Sequence, residues 1–147
     1  MKLRSVICAF LLSTVLAIPC FAHHMAIVVG KENTVENMTS TQLAKLFRAE
    51  VKKWPDGKNV MLVLHKNSAG EAETLKHLTK MSMSEWGKFL EAHKDSIVLA
   101  ESDADVLKAV SSMPGSIGMV DVRSVDGSIK VVRVDNKLPM ESGYLPH

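Results

Sequence analysis

The segment TQLAKLFRAEVKKWPDG, residues 41–57, carries the densest structural information in this chain. Its first half has the apolar stripe of an amphipathic helix, and the stripe ends at Phe47. A capping box led by Thr39 precedes it, so we predict a helix over 40–50. The Trp-Pro-Asp-Gly string that closes the segment is typical of a turn, and it leads into the apolar run 60–64. A helix, a turn and a buried strand are therefore expected in that order.

A second string, MPGSIGMVD at 113–121, completes the pattern. Together the two strings resemble the periplasmic phosphate-binding proteins of ABC transporters. In that family a helix ending in Leu/Ile-Phe runs into a Trp-x-Asp-Gly turn, and a later Pro-Gly-x-Ile-Gly-Tyr-Val segment forms a strand. The resemblance covers most of 26–135, one lobe of a two-lobed fold. It implies an α/β domain: a three-layer single lobe of a periplasmic-binding-protein-like (type 2) fold with a mixed, mostly parallel sheet.

Apolar runs and helix-start signals alternate along the rest of the chain, which independently favours an α/β fold. The further strand-like runs lie at 25–29, 97–99, 117–120 and 129–134. The further helix starts are the strings Ser68-Ala69-Gly70-Glu71, Ser82-Met83-Ser84-Glu85 and Ser102-Asp103-Ala104-Asp105. The dipeptide Asp126-Gly127 indicates a hairpin, so the last two strands are expected to pair antiparallel.

These patterns also predict what is buried. We expect the run 60–64, the most apolar strand, at the centre of the sheet, and Phe47 and Trp54 in the core. The tail 136–147, which contains two prolines and a glycine, is expected to lie over the surface.

The first 22 residues predict a secretory signal peptide. A basic start is followed by the apolar run 6–18, and small residues precede a cleavage site after Ala22. The mature chain is then 23–147, which suits a single domain in the periplasm or outside the cell. Because Cys8 and Cys20 leave with the signal, disulfides and thiol chemistry are excluded from the mature protein.

Charge excludes one further class of function. The chain has 18 Lys and Arg against 16 Asp and Glu, and the signal removes two of the basic residues, which leaves 16 of each sign. A neutral, evenly charged chain has no electrostatic footprint for nucleic acid. The apolar run in the signal is also too short for a membrane anchor, so no membrane span is expected after its removal.

The candidate binding site follows the most apolar strand, where a strand ends and a helix begins. Unpaired N–H groups at such a helix start favour an anion. In the phosphate-binding family this position carries Ser-Gly-Thr, and the resemblance implies that its amides and hydroxyls hold phosphate. The implied ligand-binding residues are Lys66, Ser68, Ala69, Gly70 and Glu71.

The chain matches the family's Ser-Gly-Thr string only in part. Ser68 corresponds to the family's serine, but Ala69 stands in the place of glycine and Gly70 in the place of threonine. Glu71 adds a negative charge that would repel an oxyanion unless the side chain folds back as a capping partner of Ser68. The sequence thus leaves two functions open. One is a solute-binding-protein-like domain for phosphate or another small oxyanion, and the other is a ligand-free interaction or sensor module that associates with an envelope protein or with itself.

The sequence offers less support for a metal site or for an enzymatic activity. Cleavage after Ala22 would expose His23-His24-Met25, whose amine, imidazole and thioether suit copper, but adventitious binding is the favoured interpretation. His65, His77 and His93 lack ligand spacing with one another. The sequence contains no Gly-rich phosphate loop, dinucleotide fingerprint or nucleophile turn, so we predict neither a cofactor nor an enzymatic activity.

Overall fold

The computed structural model describes residues 24–146, which form a five-stranded sheet with helices on both faces. The predicted signal peptide and His23 lie outside the described residues. The strands are β1 (Met25–Gly30), β2 (Asn37–Met38), β3 (Met61–His65), β4 (Ile97–Ala100), β5 (Ser116–Asp121), β6 (Ile129–Val131) and β7 (Arg133–Val134). The helices are α1 (Ser40–Phe47), α2 (Ala69–Thr79), α3 (Met83–Ala92) and α4 (Asp103–Ser112), with 3-10 turns at Lys94–Ser96 and Val122–Ser124.

The sheet has the order β4-β3-β5-β1-β6. β3 pairs in parallel with β4 and β5, whereas β1 runs antiparallel to both of its neighbours, β5 and β6. Four of the five strands therefore share one direction, and the predicted mixed, mostly parallel sheet is confirmed. A separate parallel pair joins β2 to β7.

Two expectations about strand order are wrong. β5 and β6 do not form a hairpin, because β1 lies between them, and β3 is one strand away from the centre, which β5 occupies. The physical reason is that every residue of β1 is buried. A strand that is apolar on both faces is best placed between two partners with helices above and below.

Alternating side chains supply a separate core on each face of the sheet. Ile27 and Leu62 join the core beneath α1, α2 and α3, whereas Val28 and Val63 join the core beneath α4. α4 packs closely on β5 at Gly118, where an added Cβ would lie 2.8 Å from Cγ1 of Val106. The predicted three-layer arrangement is thus confirmed.

The segment 41–57 folds as predicted in most respects. Thr39 and Gln42 form the capping box, and Phe47 and Trp54 are both buried. The indole Nε1 of Trp54 donates to the carbonyl of Gly115 at 2.8 Å, which ties the turn to the start of β5. The helix is shorter than predicted. It ends at Phe47 because the chain reverses at Ala49, whose φ is 56°.

α3 is only partly buried. Its predicted capping box, Ser82 with Glu85, is formed. Among the apolar side chains of the helix only Phe89 is fully buried, while Trp86 and Leu90 remain half-buried. Trp86 and Phe89 stack with ring centroids 5.0 Å apart. The helix therefore covers the margin of the core.

The carboxyl-terminal tail contributes to the core, contrary to expectation. Tyr144 and Leu145 are buried. The hydroxyl of Tyr144 donates to the carbonyl of Val132 at 2.6 Å and accepts from the amide of Ile27 at 3.1 Å. One side chain thus satisfies two backbone groups where β6 ends beside β1.

Replacing Tyr144 by phenylalanine should lower the free energy of unfolding by about 1–3 kcal/mol, because the amide of Ile27 loses its buried acceptor. Urea unfolding followed by tryptophan fluorescence measures the change. Leu138→Ala, in the same tail but exposed, should change stability by less than about 0.5 kcal/mol. Equal effects of the two substitutions would contradict a structural role for the hydroxyl.

Candidate functional site

The candidate site lies where the carboxyl end of β3 meets the amino end of α2, and we call it the α2 mouth, residues 66–71. Ser68 caps the helix, and its hydroxyl accepts from the amide of Glu71 at 3.1 Å. The amides of Ala69 and Gly70 have no hydrogen-bond partner within residues 24–146. Such first-turn amides carry the positive end of the helix dipole, so the mouth has the local geometry of an anion site.

The carboxyl group of Glu71 is not the capping partner that its spacing predicts. Its Oε1 accepts from the amide of His65 at 3.0 Å, not from Ser68. The side chain is only 2% exposed, and Oε2 finds no hydrogen-bond partner among the described residues. Burial raises the pKa of Glu71 to about 8, and the negative charge of Asp103 adds to the rise while the His65 amide opposes it.

A polar network extends from His65 along the same edge of the sheet. Nδ1 of His65 lies 3.0 Å from Oδ1 of Asp103, and Nε2 lies 3.0 Å from the carbonyl of Glu101. The other oxygen of Asp103 accepts from the amide of Asp121 at 3.1 Å and from the hydroxyl of Ser124 at 2.6 Å. Asp103 therefore joins the ends of β3 and β5 at the start of α4.

In the sequence, Asp103 is recognisable only as part of a helix-start string. The available signal was its position: it opens the helix after β4, and helix starts that follow parallel strands meet at one edge of the sheet. The sequence therefore places Asp103 at this edge of the sheet, but it does not show that the side chain of Asp103 turns inward.

The five predicted residues are brought together around the mouth, but they differ in access. Lys66 and Ala69 are exposed and Ser68 is partly exposed, whereas Gly70 and Glu71 are buried. Nζ of Lys66 pairs with Oε1 of Glu101 at 2.6 Å. Because both side chains are largely exposed, this pair contributes little to stability and can rearrange. Their role in ligand binding stays a prediction.

A concavity with a volume of about 440 Å³ lies elsewhere, between α1 and the tail. Its basic side chains, Arg48 and His77, are engaged by the protein. Nε of Arg48 donates to the carbonyl of Thr79 at 3.2 Å, and His77 pairs with Glu73 at 2.8 Å. Cavity size alone therefore does not identify a site. The α2 mouth is the better candidate because it lies at the carboxyl end of the parallel strand β3, where a helix begins.

Within residues 24–146, the structure offers neither a membrane-spanning helix nor a metal-binding cluster. None of the helices in this range is both long and apolar enough to cross a membrane. Within the same range, His, Cys, Asp and Glu side chains form no group of three or more that could hold a metal ion. His23, part of the copper hypothesis, lies outside it.

The fold agrees with one family. The family model described as the PBP superfamily domain matches residues 13–142. The chain belongs to this superfamily.

Several solved structures share the fold. An ABC-type phosphate transport receptor from Vibrio cholerae is 20% identical with a TM-score of 0.65, and the match covers 79% of this chain and 48% of that one. PstS from Borrelia burgdorferi is 19% identical with a TM-score of 0.60, covering 79% and 49%. A phosphate-binding protein from Stenotrophomonas maltophilia is 16% identical with a TM-score of 0.62, covering 80% and 40%. The matched region is thus about half or less of each of these proteins.

Proposed function

We propose that this protein is a solute-binding-type domain of the cell envelope, exported by its first 22 residues, that binds phosphate or another small oxyanion at the α2 mouth. The observation that carries the proposal is the pair of unpaired amides at Ala69 and Gly70, at the carboxyl end of a parallel strand. The names of the structural neighbours support phosphate as the first ligand to test. The superfamily also supports a binding role rather than an enzymatic one.

The electrostatics of the mouth favour an anion more than the sequence suggested. With its pKa raised to about 8, Glu71 is mostly a neutral acid at pH 7, so it does not place a full negative charge beneath the amides. Lys66 is bound to Glu101 only by an exposed ion pair. We expect its ammonium group to turn toward a ligand at little cost.

Affinity should nevertheless be weak for a single copy. The match spans about half of each solved neighbour, and an anion on one open surface keeps part of its hydration. Each hydrogen bond to a charged ligand that a second surface does not supply forgoes about 1.5–3 kcal/mol. A second copy of this chain, or an envelope protein, would close the site.

A second function, an interaction module without a small ligand, is favoured by one observation. Leu99 lies on the edge strand β4 and is 49% exposed. An edge strand with an exposed large apolar side chain is a surface suited to pairing with another chain. In this alternative the domain serves as an accessory or sensor part of an envelope complex.

A phosphate titration followed by amide NMR distinguishes the two functions. Binding should shift the amides of Ala69 and Gly70 at millimolar phosphate, with chloride at equal ionic strength as the control. Ser68→Ala should weaken the response. Ser102→Ala, which removes the equivalent cap of α4, should cost similar stability, about 0.5–2 kcal/mol, and leave the response intact.

Unchanged mouth amides in 10 mM phosphate, a concentration of the order at which even weak sites fill, would reject oxyanion binding. Concentration-dependent association of the same protein, measured by analytical ultracentrifugation and lost on Leu99→Lys, would then support the interaction module.

A further inference from the structure

Glu71 occupies an unusual position for an acidic side chain. It belongs to the first turn of α2, yet its carboxyl group lies inside the protein against the end of β3. One oxygen accepts a single hydrogen bond from the His65 amide, and the other has no partner among the described residues. An ionised carboxylate in such a place loses its hydration with almost nothing in return.

The charged groups around Glu71 do not compensate for that loss. The ring of His65, which ends β3, faces Asp103 and the carbonyl of Glu101 rather than Glu71. Asp103, at the start of α4, is negative and opposes ionisation. Lys66, in the loop before α2, pairs with the side chain of Glu101. Geometry therefore favours the neutral acid, in agreement with its raised pKa.

We propose that Glu71 is a proton-linked regulator of the α2 mouth: as a neutral carboxylic acid it leaves the amides of Ala69 and Gly70 available to an oxyanion, and its ionisation weakens anion binding. This inference rests on the proposed function. Ionisation places a negative charge within one helical turn of the bound anion, because Glu71 belongs to the first turn of α2. At separations of about 6 Å and intermediate dielectric, one added charge weakens binding about tenfold or more.

The test compares sulfate binding at pH 6.5 and pH 9 by calorimetry, because sulfate keeps its charge across this range whereas phosphate does not. The proteins are the mature chain, Glu71→Gln and Glu73→Gln. Glutamine reproduces the neutral acid, and Glu73 is an exposed glutamate two residues further along the same helix. His65 and Asp103 are present in all three proteins, so the difference between the binding profiles isolates residue 71.

At pH 6.5 we expect the sulfate affinities of the mature chain and of Glu73→Gln to agree. At pH 9 the mature chain and Glu73→Gln should bind at least about tenfold more weakly than Glu71→Gln. An equal pH dependence in all three proteins overturns the regulatory role and leaves the proposed function standing. No sulfate or phosphate binding to any of them at pH 6.5 overturns the proposed function and the regulation together.

If Glu71→Gln folds poorly, a measurement on the unsubstituted protein still tests the proposal. The side-chain carboxyl carbon of Glu71, followed by NMR in the unmodified mature chain, should titrate near pH 8. Titration near the ordinary glutamate value, about 4.3, overturns the inference whatever the binding data show.

Discussion

Phe47→Ala is expected to lower the free energy of unfolding by about 3–5 kcal/mol. Phe47 is fully buried at the end of α1, among the core side chains that α1 and α2 share with the sheet. Alanine would leave a cavity that the neighbouring strands cannot fill, since β1 and β5 are held by ladders on both sides. Urea unfolding of the mature protein, followed by circular dichroism, measures the loss.

Met83→Ala is the control for this substitution, because the side chain of Met83 is 88% exposed at the start of α3. It should change stability by less than about 0.5 kcal/mol. A loss below about 1 kcal/mol for Phe47→Ala would mean that α1 does not pack on the sheet as described.

Gly115→Ala is expected to cost about 2–4 kcal/mol, for two reasons. Gly115 has a φ of 81°, which disfavours any residue with a Cβ, and an added Cβ would lie 2.1 Å from the carbonyl oxygen of Asn59. The backbone must then shift at a point where the Gly115 carbonyl accepts from both Trp54 and Met61. The effect therefore extends to the turn that precedes β3.

Substitutions at two other glycines distinguish the effect of the positive φ from that of the close approach to Asn59. Gly57 also has a positive φ, 87°, but nothing lies within 4 Å of an added Cβ, so Gly57→Ala should cost only about 1 kcal/mol. Gly87 lies inside α3 with open space around it, and Gly87→Ala should raise stability by about 0.4–1 kcal/mol. Thermal and urea unfolding of the three variants should give this ranking. Equal losses at Gly57 and Gly115 would contradict the close approach to Asn59.

The local features of the chain were predictable because their causes are local. A capping box needs only residues three apart, and those led by Thr39 and Ser82 are formed. The helix-turn-strand order of 41–57 and the burial of Phe47 and Trp54 also follow from neighbouring residues and their apolar pattern. The α/β class rests on the same kind of information, repeated along the chain.

Strand order was not predictable in this way. Asp126-Gly127 is a good local turn, yet β6 pairs with β1 instead of with β5. The choice depends on which strand gains most from burial on both faces, and that is a comparison between distant segments. Tyr144 illustrates the same limit, since its hydroxyl has a buried role only where β1 and β6 come together.

Two strings of the form Ser-x-x-Glu show that sequence spacing does not predict the hydrogen-bond partner of the glutamate. Ser82 and Glu85 form a complete capping box, in which the side chain of Glu85 lies on the surface and accepts from the amide of Ser82 at 2.7 Å. Glu71 has the same spacing from Ser68, but its side chain turns inward to the amide of His65. The start of a helix at each serine follows from the local sequence alone. The hydrogen-bond partner and the proton affinity of Glu71 follow instead from its burial at the end of β3, which is a property of the tertiary structure.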